Sequence, residues 1–145
     1  MSELARKPGA LFWAMGLFFL AWNGFGCAAY VMDVTASDAK YAELYGDAML
    51  AVRDKFPVWS ISAYAIAVWG GLLAALLYLL RKRFAVTVFI ISLIAGLISF
   101  SWSIMNEEAR AASGDMFWVM PLLVLALGLF EIFWSRKMVA NGIIR

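Results

Sequence analysis

Few residues in this chain could do chemistry, and one stands apart. Glu131 is a carboxylic acid inside a run of apolar residues. A carboxylate in hydrocarbon is costly, usually faces protein or water, and often marks an ion or proton path. Two readings of it are open. Arg136 and Lys137 follow closely, and Lys7 or Arg83 could reach it from neighbouring helices, which would make a boundary pair with a snorkelling base. Alternatively the acid is buried with no base beside it and serves as a proton or substrate site. The position of the nearest base separates the two, since an ion pair needs one within about 4 Å.

Asn23 is the second polar group, nearer the middle of its own apolar run. Its amide must find partners, because unpaired polar groups in hydrocarbon cost several kcal/mol. A serine of the third run is the simplest one: Ser92, Gly96, Ser99 and Ser103 recur at steps of four, three and four. Trp69 lies deep in the second run, although tryptophan prefers membrane interfaces. Its ring is expected to fill the centre of the bundle or line a ligand site. The candidate proton or substrate site is therefore Glu131, Asn23, Trp69, Ser92 and Ser99.

What is missing narrows the chemistry. The chain has no histidine, the commonest acid–base catalyst near neutral pH and the commonest metal ligand. The single cysteine, Cys27, has no partner for an intrachain disulfide. No glycine-rich loop looks able to cradle phosphate, and the apolar runs hold no pair of carboxylates. Neither enzymatic activity nor a metal or cofactor is expected. A net charge of +2 gives no reason to expect a nucleic-acid partner.

The elements that position these groups follow from composition. Of 145 residues, 65% are hydrophobic and 15% charged, whereas soluble domains are about half apolar and a quarter charged. Four apolar stretches, about 10–32, 58–80, 84–105 and 116–135, each have the length that crosses a hydrocarbon layer of about 30 Å as a helix. Strands are excluded: the runs do not alternate, and four strands cannot close a barrel. The first run, preceded by Arg6 and Lys7, is read as a span rather than a signal peptide because it is too long and Cys27-Ala28-Ala29 makes a poor cleavage site. Small-residue stripes are expected to face inward: Gly16, Asn23, Cys27 and Tyr30; Ser60, Ala63, Ala67, Gly71 and Ala74; the serines and Gly96 above; and Pro121, Gly128 and Glu131. Trp13, Trp59, Trp102, Trp118 and Trp134 read as interface anchors.

Loop charges set the orientation. Arg6, Lys7, Arg81, Lys82, Arg83, Arg136, Lys137 and Arg145 share one side with a single acid, Glu3. The other side carries Lys40, Arg53, Lys55 and Arg110 against Asp33, Asp38, Glu43, Asp47, Asp54, Glu107, Glu108 and Asp115. Cytoplasmic loops are rich in lysine and arginine, so both termini are expected inside. The long external loop predicts one amphipathic surface helix at about 37–54, with Thr35 or Ser37 as its cap and Tyr41, Leu44, Tyr45, Ala48, Met49, Val52 and Phe56 at helical spacing. The expected fold class is all-α: an integral membrane four-helix bundle with one external surface helix, in a single domain over 1–145, joined by short connections at 81–83 and 106–115.

Trp22-Asn23, FPVW at 56–59, AIAVWGG at 65–71 and LLRKRFAV at 79–86 together resemble the small bacterial inner-membrane proteins with four spans that are often labelled "sugar transporter". The resemblance covers residues 11–103; the fourth span matches only in character. It implies transport, but that family has no defined substrate site to carry over. The expected function is transport or binding of a small solute as an oligomer in the bacterial inner membrane. The alternative is a non-catalytic accessory or scaffolding subunit of a larger membrane complex, with a partner membrane protein. Four spans with so few polar residues make a poor aqueous path alone.

Overall fold

A computed structural model describes residues 6–145. Glu3, counted above with the basic end, lies outside the described residues. Four helices are long and apolar enough to cross a membrane: α1 (Ala10–Thr35), α4 (Val58–Leu79), α5 (Phe84–Met105) and α7 (Val119–Ala140). At 1.5 Å per residue, even the 22-residue helices reach about 33 Å. Three short helices, α2 (Asp38–Tyr45), α3 (Asp47–Arg53) and α6 (Glu107–Ser113), lie at the other end from the basic turn at 81–83, and a 3-10 turn (Gly114–Met116) leads into α7.

The expected architecture, a four-helix bundle under one external helix, is therefore corrected. The protein is an all-α bundle of seven α-helices among the described residues, four of them of membrane-spanning length. Two local causes account for the difference. The expected surface helix breaks at Gly46, whose φ of 88° is one that L side chains rarely adopt. The expected short connection at 106–115 holds α6, started by Asn106, whose side chain accepts from the Ala109 N–H at 2.9 Å. Ser37, rather than Thr35, caps α2, accepting from the Lys40 N–H at 3.3 Å. Thr35 is the last residue of α1, and its hydroxyl donates back to the Val31 carbonyl. Pro57 opens α4, having no N–H to lose.

Among the long helices the closest pairs are α1 with α4, α4 with α5, and α5 with α7, and α1 also meets α7, where the Phe19 and Phe130 rings lie 6.1 Å apart. Polar side chains tie them together where small residues let the backbones approach. Cys27 Sγ donates to the Val68 carbonyl at 3.2 Å, Ser92 Oγ to the Ala67 carbonyl at 2.6 Å, and Ser60 Oγ to the Ser99 carbonyl at 3.0 Å. The apolar core sits toward the basic end, where Phe12, Phe19, Tyr78, Phe89 and Met138 are buried. Tyr78 is fully buried, stacks on Phe12 with centroids 4.5 Å apart, donates to the Phe12 carbonyl and accepts from Trp134 Nε1 at 3.0 Å. Trp134 is thus half-buried in the helix packing and not the simple interface anchor expected.

The fourth span also differs from expectation. It starts at Val119 and runs to Ala140, past Arg136 and Lys137, because Ser135 and Met138 are still buried there. Glu131 is nine residues from the helix end, yet still only five before Arg136. The helix end lies about 13 Å beyond Glu131 along the axis.

Candidate functional site

Glu131 is buried, only 5% exposed, and its Oε1 accepts a hydrogen bond from Asn23 Nδ2 at 2.5 Å. No lysine or arginine among the described residues pairs with it; the ion pairs found there are Lys40–Glu43, Arg53–Asp38 and Lys55–Glu108, all at the other end. A boundary pair with Arg136, Lys7 or Arg83 is therefore not the arrangement observed.

Asn23 is 7% exposed, and both N–H bonds of its amide are used. One goes to Glu131 and the other to the Phe19 carbonyl at 2.8 Å, one turn back on α1. The serine expected to partner Asn23 points elsewhere: Ser92 donates to α4. Asn23 Oδ1 lies against Gly71 of α4, where a Cβ would come within 2.0 Å of it and within 3.1 Å of Ser92 Oγ. All four long helices therefore meet in one polar spot: Asn23 from α1, Gly71 from α4, Ser92 from α5 and Glu131 from α7.

Not every expected site residue joins. Ser99 is half-buried two turns along α5 from Ser92 and takes part through its carbonyl, which accepts from Ser60. Trp69 is corrected: it is 48% exposed on the outside of α4 and neither fills the centre nor lines the polar spot. Ser135 was missed. It is fully buried one turn beyond Glu131, and its hydroxyl has no hydrogen-bond partner among the described residues.

Comparison with protein-family models, with curated proteins and with solved structures finds no match. The site is accordingly read from its own geometry.

A second polar cluster ties the short helices to the spans. Asp33, near the end of α1, accepts from Tyr45 Oη at 2.5 Å and from Tyr64 Oη at 3.1 Å. Arg53 of α3 donates to the last carbonyls of α1, Asp33 at 2.8 Å and Ala36 at 2.9 Å, and lies 4.5 Å over the Tyr41 ring. A cation at a helix C-terminus is favourably placed against the dipole. Burial, and then the bond to Asp33, push the Tyr45 hydroxyl above the usual tyrosine range. Lys55 of the segment after α3 pairs with Glu108 of α6, and Ser113 Oγ lies 3.5 Å from Met49 Sδ. These bonds tie the three short helices to one another and to the acidic end of the spans.

Proposed function

We propose that the protein binds a small polar solute and moves it across the membrane as an oligomer, with Asn23 and Glu131 as its intramembrane site. The observation that carries this reading is the carboxyl itself: buried at mid-helix, held by an amide from another span, and with no base paired to it among the described residues. Packing alone needs no acid there, since a glutamine or serine could accept the same bond. An ionised Glu131 needs its charge met by a proton or by a cation arriving with the solute. The resemblance of residues 11–103 to small four-span proteins often labelled "sugar transporter" agrees with this reading in label only. Purified protein in liposomes should take up sugars or other small polar solutes, driven by a proton gradient and collapsed by a protonophore. Absence of gradient-driven uptake across such a panel would count against it.

A second reading, an accessory subunit of a larger membrane complex, is favoured by α7. Only Glu131, Ser135 and Met138 of that helix are buried, leaving its outer half free for a neighbour. Purification in mild detergent separates the two: a homogeneous homo-oligomer supports the first, a stoichiometric second protein the second.

The proposed setting is the bacterial inner membrane with both termini cytoplasmic, following the loop charges. Single cysteines placed at the exposed positions Asp47, Glu108 and Lys82 test this. Impermeant thiol reagent added to intact cells should label the first two and spare the third. Labelling at position 82 would invert the topology. Background from Cys27 should be low, as that residue is buried against the Val68 carbonyl.

A further inference from the structure

At the basic end, an open groove of about 470 Å³ runs between the start of α5 and the end of α7. Arg83 and Thr87 line one side and Arg136 the other, with Phe84, Val86 and Val139 among the apolar lining residues. Neither arginine pairs with a carboxylate among the described residues. The groove is also braced. The Arg83 N–H donates to the Arg145 carbonyl at 2.8 Å, the Arg145 N–H to the Arg81 carbonyl at 3.0 Å, and Arg81 Nε to the Ile143 carbonyl at 2.7 Å. Ile144 is buried between these bonds. The turn that carries Arg83 is thereby strapped to the segment that follows α7.

We infer that this groove binds the phosphate of an anionic phospholipid, held between Arg83 and Arg136. Three features point to that ligand. Both guanidinium groups are exposed at the ends of spans, at the depth of the headgroups. A guanidinium fork matches phosphate oxygens in pairs, and basic grooves between spans suit anionic headgroups. The apolar walls continue onto the exposed apolar surfaces of α5 and α7, among them Ile91 and Phe133, which acyl chains would cover in a bilayer. A zwitterionic choline lipid fits less well, because its cation would sit near Arg83, Arg136 and Lys137. Thr87 adds a hydroxyl donor within the same groove. The lipid would also bridge α5 and α7, and α7 has only α5 as an extensive packing neighbour.

The test is lipid titration of the full chain in an uncharged detergent, followed by native mass spectrometry, with melting temperature as a second readout. Phosphatidylglycerol is expected to bind about tenfold tighter than phosphatidylcholine and to raise the melting temperature. Millimolar inorganic phosphate should not displace it, which separates a lipid site from a free-phosphate site. Arg83→Gln and Arg136→Gln should each weaken phosphatidylglycerol binding several-fold and melt like the parent without lipid, while Lys40→Gln at the other end leaves binding unchanged. Equal binding of the two lipids, displacement by inorganic phosphate, or full phosphatidylglycerol binding by the double variant would overturn the inference. None of these outcomes depends on whether the protein transports a solute.

Discussion

Glu131→Gln is expected to abolish proton-dependent solute uptake while leaving the protein folded. The carboxamide has the shape of the carboxyl, and its oxygen can still accept from Asn23 Nδ2. What it loses is the capacity to carry a charge or exchange a proton. The melting temperature should therefore move little, by the equivalent of about 1 kcal/mol or less. Glu131→Ala makes the contrast. It removes the acceptor and leaves one Asn23 N–H unpaired in a buried site, which costs about 1–3 kcal/mol. If Glu131 only tied α7 to α1, the glutamine variant would behave as the parent in every assay and the alanine variant would lose stability alone. Gradient-driven uptake by the glutamine variant at the parent's rate would end the proton-site reading. Because no base among the described residues pairs with Glu131, no stranded cation complicates the comparison.

Part of this site is legible in the sequence, and the reasons for the rest are physical. Glu131 and Asn23 are conspicuous because each is a polar group in an apolar run. Their pairing is not readable, since 108 residues separate them and nothing in the chain says that the first and last spans approach. Trp69 shows a different failure. Depth in a span does not tell which way a side chain points, but the helical wheel does. At about 100° per residue, Trp69 lies about 200° round the helix from Gly71. The inward stripe of Ser60, Ala63, Gly71 and Ala74, all buried, therefore turns Trp69 outward.

The elements divide in the same way. The starts of α4 and α5 were readable from Pro57 and from the basic turn at 81–83. The end of α7 was not, because basic residues mark where lipid stops, and a helix can continue beyond it while one face stays buried. The break at Gly46 was hidden by apolar spacing that carries from Tyr41 through Val52 across both short helices. At seven residues, α6 is too short for periodicity, yet Asn106 followed by Glu107 and Glu108 is a readable helix start.

The other large effect is expected at Gly71, which reads in the sequence as one more small packing residue. Its missing side chain is what admits Asn23. A Cβ there would lie 2.0 Å from Asn23 Oδ1 and 2.9 Å from its Cγ. Asn23 cannot simply swing away, because its amide is held at both the Phe19 carbonyl and Glu131. Ser92, 3.1 Å from the same Cβ, is held to the Ala67 carbonyl. Gly71→Ala must therefore either part α1 from α4 or break the bond to Glu131. Overpacking costs about 1–3 kcal/mol, and an unpaired amide a similar amount, so both melting temperature and uptake should fall. Gly70 supplies the control one residue away. A Cβ there meets Ser92 Cβ at 3.6 Å, an ordinary contact, and Gly70→Ala should melt close to the parent. Combining Asn23→Ala with Gly71→Ala tests the cause directly. Removing the amide frees the space the new methyl needs, so the double variant should be more stable than the sum of the two single losses predicts. Strict additivity, or a Gly71→Ala variant as stable and active as the parent, would mean that the contact between Gly71 and Asn23 does not set the site.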